Sequence, residues 1–237
     1  MFDPCTLARA EIDRFNAHVL ACYPQEACGI ITGGSFVPVP NIHPEPEDQF
    51  AMAPADQLRH GPVEAVVHSH IAGRHHPVPS AQDMRQQMAS AVPWGLVSTD
   101  GEQVSSLLWW GDFRLDEPLI GAEFIHGVQD CYSAIRKWYW QERRIRLPDF
   151  PRDHEWWADG GNLYETGFPQ AGFVEVPLQD LAHGDVVLGQ VRAPCLNHGG
   201  IYLEGGLIFH HLQERLSRRE SIYPWMRYVK KALRYAG

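Results

Sequence analysis

Apolar residues recur at helical spacing from Thr6 to about Cys22, with Leu7, Ile12, Phe15, Val19 and Leu20 near one stripe, and Pro24 ends the run. This pattern predicts an opening helix. A short apolar run from Cys28 to Thr32 reads as a strand stopped by Gly33-Gly34, and a Pro-rich loop follows from Pro38 to Pro46. A second strand is expected at Val63 to Val67, bounded by Gly61-Pro62 and leading straight into His68-Ser69-His70. Pro79-Ser80 opens a helix through about Ser90, and Trp94 to Ser98 and Val104 to Trp109 read as later strands. The order of helices and strands is an α+β pattern.

Between Gly111 and Pro118 the chain turns polar and charged, as a connector does. We therefore expect a first domain over 1–112, a linker over 113–120 and a second domain over 121–237. Cys131 to Arg144 predicts a helix with Asp130 as N-cap and Ile135, Trp138 and Tyr139 on its buried stripe. Arg146 to Pro177 shows little periodicity and is expected to be irregular. Asp185 to Leu188 and Ile201 to Leu203 are strand candidates, and Glu204-Gly205-Gly206 is a hairpin turn into Leu207 to His210.

The 237 residues are 44% hydrophobic, ample for a large core, and no apolar run approaches the ~20 residues that span a bilayer. No stable membrane insertion is expected. The first residues lack the basic start and apolar stretch of a Sec-type leader, so we expect synthesis and folding in a cytoplasm and any export by another route. Net charge is -9, and residues 1–112 hold five arginines, no lysine and thirteen acids, a net of -8. That asymmetry supports two units. The stretch 211–237 is locally basic at +5, but an acidic protein repels phosphates and no nucleic-acid partner is expected. Five cysteines without a C-x-x-C pair fit reduced thiols.

Strand residues i and i+2 face one side about 6.6 Å apart, so His68 and His70 can converge on one ion, with Asp83 as the obvious carboxylate. By itself Ser80-Ala81-Gln82-Asp83 is equally a helix capping box. Together with Glu26 in Pro24-Gln25-Glu26-Ala27-Cys28-Gly29, the His-x-His pair and the Ser-x-x-Asp spacing resemble the JAMM (MPN) metalloprotease family. The resemblance implies an α/β sandwich in which His68, His70 and Asp83 bind zinc, Glu26 is general base and Ser80 steadies the oxyanion. Here Ile71 stands where that family usually has Pro, and the loop to Ser80 is nine residues instead of seven. His75 and His76 within it read as exposed residues, with extra metal ligands as the alternative.

Cys131 starts a predicted helix, where the positive dipole end favours a thiolate, and a nearby imidazole would complete a nucleophilic pair. His198 and His210 lie six residues either side of Glu204, so a hairpin would set them opposite each other. A register slip would recruit His211 instead. Asp130-Cys131, Gly184-Asp185-Val186-Val187, Asn197-His198-Gly199-Gly200-Ile201-Tyr202 and the later His210 resemble the NlpC-type cell-wall peptidase family. That resemblance implies a papain-like domain with Cys131 as nucleophile, His198 as general base and acid, and His210 orienting it. A tyrosine could aid the oxyanion, and the sequence does not choose between Tyr132 and others.

A JAMM-like unit followed by an NlpC-like unit in this length is similar to the tail tip assembly proteins of lambda-type phages, the junction from Gly121 to Tyr132 especially. The resemblance implies a chain made in the host cytoplasm and carried at the virion tail tip among other tail tip proteins, with peptidoglycan as substrate. A structural assembly factor with partly vestigial sites and a free bacterial cell-wall hydrolase are the alternatives.

Overall fold

The computed structural model describes residues 2–158 and 160–237, residues 57 and 58 by their backbone alone. Two compact units divide between Phe113 and Arg114. The first runs α1 (Arg9–Cys22), β1 (Cys28–Thr32), β2 (Ser35–Val39), α2 (Pro54–Arg59), β3 (Ala65–Ile71), α3 (Ala81–Ser90), β4 (Trp94–Thr99) and β5 (Leu108–Trp110). Its sheet has the order β2-β1-β3-β4-β5, antiparallel except for β3 beside β4. A parallel pair needs a crossover, which α3 supplies.

The central strand β3 is buried along its whole length. Its alternate residues serve opposite faces: Ala65 and Val67 join Phe15 and Val19 of α1 in one core, while His68 and His70 reach the other face toward Asp83 of α3. β2 was not legible as a strand, because Ser35 and the exposed Pro38 thin its apolar pattern. Gly33 and Gly34 both take positive φ (56° and 71°) and form the tight β1–β2 turn. Val104, expected inside a strand, makes only an isolated bridge with Thr99.

The second unit contains α4 (Cys131–Arg143), α5 (Leu163–Gln170), β6 (Phe173–Val176), β7 (Val186–Gly189), β8 (His198–Leu203), β9 (Leu207–His210), β10 (Arg218–Ser221) and β11 (Val229–Tyr235). The strands make an antiparallel sheet in the order β10-β9-β8-β7-β11-β6. Ile135, Trp138 and Tyr139 of α4 pack on this sheet with Leu188, Ile201, Phe209 and Leu233. Asp130 caps α4 by accepting from the Ser133 N–H. Residues 115–117, expected within the linker, lie along α4: Gln141 Nε2 donates to the Leu115 and Glu117 carbonyls, and Trp140 Nε1 to Asp116.

Two stretches differ from the expectation. Residues 146–177 hold α5 and β6 where no regular element was foreseen, and β10 and β11 were not foreseen at all. β10, Arg-Arg-Glu-Ser, is a half-exposed edge strand with no apolar side chain, so nothing in its pattern signals a strand. In the β8–β9 hairpin, His210 faces Gly200 and not His198. The two histidines are therefore diagonal neighbours, which corrects the direct opposition expected from counting around Glu204. No helix among the described residues is long and apolar enough to cross a membrane.

Candidate functional sites

In the first unit, β3 and the first turn of α3 bring His68, His70 and Asp83 together, all buried. His68 Nε2 lies 3.4 Å from His70 Nε2 and 3.4 Å from Asp83 Oδ1, and His70 Nε2 lies 3.3 Å from Asp83 Oδ2. Zinc with ligands at ~2.0–2.1 Å in a tetrahedron has ligand–ligand edges of about 3.3–3.4 Å. The two imidazole nitrogens stand at that edge spacing, each faces a different oxygen of the Asp83 carboxylate, and one ligand atom from each of the three residues lies within 4.8 Å of the others. His70 Nδ1 donates to the His76 carbonyl at 2.8 Å, leaving Nε2 as a lone pair, and Phe50 stacks on the His68 ring at 4.6 Å.

Asp83 is also the third residue of α3 and closes its capping box: its Oδ2 accepts from the Ser80 N–H (2.8 Å) and hydroxyl (2.7 Å). The capping box is therefore formed, and the same carboxylate also faces His68 and His70. Burial opposes the charge on Asp83, but the imidazoles of His68 and His70 outweigh it and hold the carboxyl well below its usual range. Glu26, just before β1, is 3% exposed, and burial pushes its carboxyl up to about 8. His75 is not the exposed loop residue expected. Its ring packs 5.3 Å from that of His70, and its Nε2 lies 4.0 Å from Glu26 Oε1 and 3.6 Å from Asp48 Oδ1.

In the second unit, Cys131 and His198 line one cleft of about 920 Å³, walled by Trp156, Tyr164 and Trp225 among others. Cys131 is the first residue of α4, and its Sγ lies 2.9 Å from the Tyr164 hydroxyl and 3.9 Å from the Asn197 carbonyl, next to His198. Tyr164 is the tyrosine at the sulfur. Tyr132 instead donates to the Pro148 carbonyl at 2.7 Å. Asp130 is bound by the buried Arg152, through Nε at 2.6 Å and Nη2 at 3.0 Å, which anchors the start of α4.

His198 Nε2 meets His210 Nδ1 at 3.1 Å, and His210 Nε2 meets Glu220 Oε1 at 2.9 Å. The diagonal contact is possible because the residue facing His210 has no side chain: a Cβ on Gly200 would lie 2.9 Å from the His210 Cβ. Burial lowers His198 to about 3, with the other histidines adding to the effect. Burial, then Asp130, pushes the Cys131 thiol up to about 11, outweighing the Tyr164 hydroxyl. The helix start alone therefore does not give the thiolate expected from sequence; at rest the pair is neutral. Sequence reasoning missed Tyr164, in the stretch taken as irregular, and Glu220, on a strand without apolar pattern.

Residues 8–110 match the family of prokaryotic homologs of the JAB domain (Prok-JAB), and residues 120–234 match the NlpC/P60 family. Over 236 residues the chain is 33% identical to tail tip assembly protein K of Escherichia phage N15, covering 94% of this chain and 93% of that protein. Over 172 residues it is 38% identical to tail tip assembly protein K of Escherichia phage lambda, covering 71% of this chain and 81% of that protein. Among solved structures it is similar to the NlpC/p60 domain of the peptidoglycan hydrolase SagA, at 19% identity over 49% of this chain and 89% of that one, with a TM-score of 0.35.

Proposed function

The chain belongs to the family of phage tail tip assembly proteins K, with a Prok-JAB unit followed by an NlpC/P60 unit, and on that premise we propose that its second unit cuts stem peptides of peptidoglycan during genome delivery. One observation carries this reading: Cys131 shares a cleft with His198, whose ring is already bonded to His210. In this mechanism His198 takes the thiol proton as the sulfur bonds to the scissile carbonyl carbon, and the carbonyl π electrons move to oxygen. The Cys131 backbone N–H and the Tyr164 hydroxyl are the donors at hand for that oxyanion. The carbonyl then re-forms, the C–N bond breaks, and the amine leaves with the proton held on His198. Water, deprotonated by His198, next attacks the thioester, and Cys131 regains its proton as the acid product departs.

In the first unit, the donor set of His68, His70 and Asp83 fits zinc by identity, with one ligand atom of each within 4.8 Å of the others. A bound zinc would polarise an amide carbonyl and lower the pKa of its water. Glu26, with its carboxyl raised toward neutrality by burial, is suited to hold and return a proton there. Ser80 must release Asp83 before its hydroxyl can face an oxyanion. That constraint favours a second reading of this unit alone, in which the metal clamps the fold and the unit docks to neighbouring tail proteins. On either reading the chain is assembled with other tail tip proteins in the host cytoplasm and acts from the virion.

The test is release of soluble peptides from purified sacculi by the full chain. Cys131→Ala should abolish it while thermal unfolding stays as in wild type. Equal release by the variant would leave assembly as the function.

A further inference from the structure

Glu220 sits on β10 at the end of a line of contacts that begins at His198. Its Oε1 receives the indole N–H of Trp225 at 2.8 Å, and its Oε2 receives Arg218 Nη2 at 2.8 Å. Both neighbours are donors only, so both carboxylate oxygens act as acceptors. His210 Nε2, 2.9 Å from the same Oε1, must then carry the proton of that hydrogen bond. With His210 neutral, its Nδ1 is a bare lone pair, and the 3.1 Å contact to His198 Nε2 can form only if that nitrogen bears a proton. His198 is thereby left with an unprotonated Nδ1. The middle of this line is shielded from water, because His210 is 1% exposed and Trp225 lies edge-on to it at 4.8 Å, while the Glu220 side chain is 27% exposed.

We propose that Glu220 is a positioning residue of the cysteine site, which sets the tautomers of His210 and His198 so that Nδ1 of His198 is the base. This rests on the peptidase reading of the second unit. The strand pairing suits the task. Arg218 faces His210 across the β9–β10 ladder, and Glu220, two residues along the same face, reaches the far nitrogen of that ring.

The experiment uses the full chain with ¹⁵N-labelled histidine, read by NMR for the protonated ring nitrogen, beside kcat for peptide release from sacculi. Wild type should show the proton on Nε2 of both His198 and His210. Glu220→Met removes the acceptor at similar length; the protons should shift to Nδ1 and kcat should fall by about 10²–10⁴-fold, the range that positioned acid–base catalysis supplies. Glu220→Gln keeps an amide oxygen for Trp225 and His210, and should restore the wild-type tautomers and kcat to within about tenfold of wild type. A purely structural role would move stability without moving the ring protons. A wild-type proton on His198 Nδ1 overturns the proposal, and so does a folded Glu220→Met variant with wild-type tautomers. Glu220→Gln as impaired as Glu220→Met also overturns it. If Glu220→Met does not fold, the wild-type and Glu220→Gln spectra still decide. If wild type releases nothing from sacculi, the peptidase reading fails, while the wild-type spectrum still decides the tautomer assignment.

Discussion

Substituting Gly200 by Ala tests why two histidines on neighbouring strands meet diagonally. The added Cβ would lie 2.9 Å from the His210 Cβ, 2.9 Å from the Phe209 carbonyl oxygen and 2.8 Å from Ile208 Cδ1. The Ile208 methyl can swing away, whereas a backbone oxygen and a Cβ move only with their strand. Carbon atoms settle at ~3.5–4.0 Å, so β9 must retreat by roughly 0.6–1 Å. That stretches the 3.1 Å contact between His198 and His210 beyond the ~3.2 Å limit of a good hydrogen bond. Overpacking of this kind costs about 1–3 kcal/mol. At roughly 4 °C per kcal/mol, thermal unfolding of the second unit should begin about 4–12 °C lower. A misplacement of ~1 Å in a catalytic group costs on the order of 10²-fold in rate, so peptide release should fall far more than the folded fraction does. Scanning calorimetry and kcat on sacculi read the two effects separately. A Gly200→Ala chain that melts within about 1 °C of wild type and turns over undiminished would refute this account of the hairpin.

Four further outcomes are expected. Arg152→Met leaves Asp130 buried without its cation and should destabilise the second unit by about 3–5 kcal/mol in urea unfolding, because a lone buried charge is left behind. Burial opposes the Asp130 charge, but Arg152 depresses its pKa below the usual carboxylate range, so its stabilisation is complete above the unfolded value near ~4 and is lost as pH falls toward the folded one; urea midpoints should drop between about pH 5 and pH 2, and a midpoint flat over that range contradicts the pairing. With its thiol pushed up to about 11, Cys131 should react slowly with iodoacetamide at pH 7 and progressively faster toward pH 11, whereas full reactivity at pH 7 would indicate a resting thiolate. Elemental analysis should find about one zinc per chain in wild type and none in His68→Ala or Asp83→Asn, and zinc retained in both variants would remove these residues from the site.

The clustering of His68, His70 and Asp83 was legible because its parts are local: a period-2 strand spacing supplies His68 and His70, and a helix start supplies Asp83. That Cys131 and a distant histidine line one cleft was legible only through motif resemblance, since 67 positions separate Cys131 from His198 and no periodicity links them. The hairpin was half legible. Both histidines were found, but Gly205 and Gly206, each with positive φ, shift the centre of the turn from Glu204 to Gly205 and so change the register by two. Tyr164 and Glu220 were not legible, because tertiary packing delivers them. One comes from a helix in a Pro- and Gly-rich stretch, the other from an edge strand dominated by arginine. His75 misled for a related reason. A histidine in a long polar loop looks exposed until Arg74 is seen anchored to Glu47 and Asp48, which draws the loop back over Glu26.

Asp83 starts a helix and faces two imidazoles with the same carboxylate. Selection on folding alone is then enough to keep it. A relative with no metal at this position would still need this aspartate and Ser80 to begin α3, so the pair can persist where the histidines have drifted. Counting that Ser–Asp signature across related phages would overstate how many retain a metal; the histidine pair, which has no such second duty, is the better marker of retention.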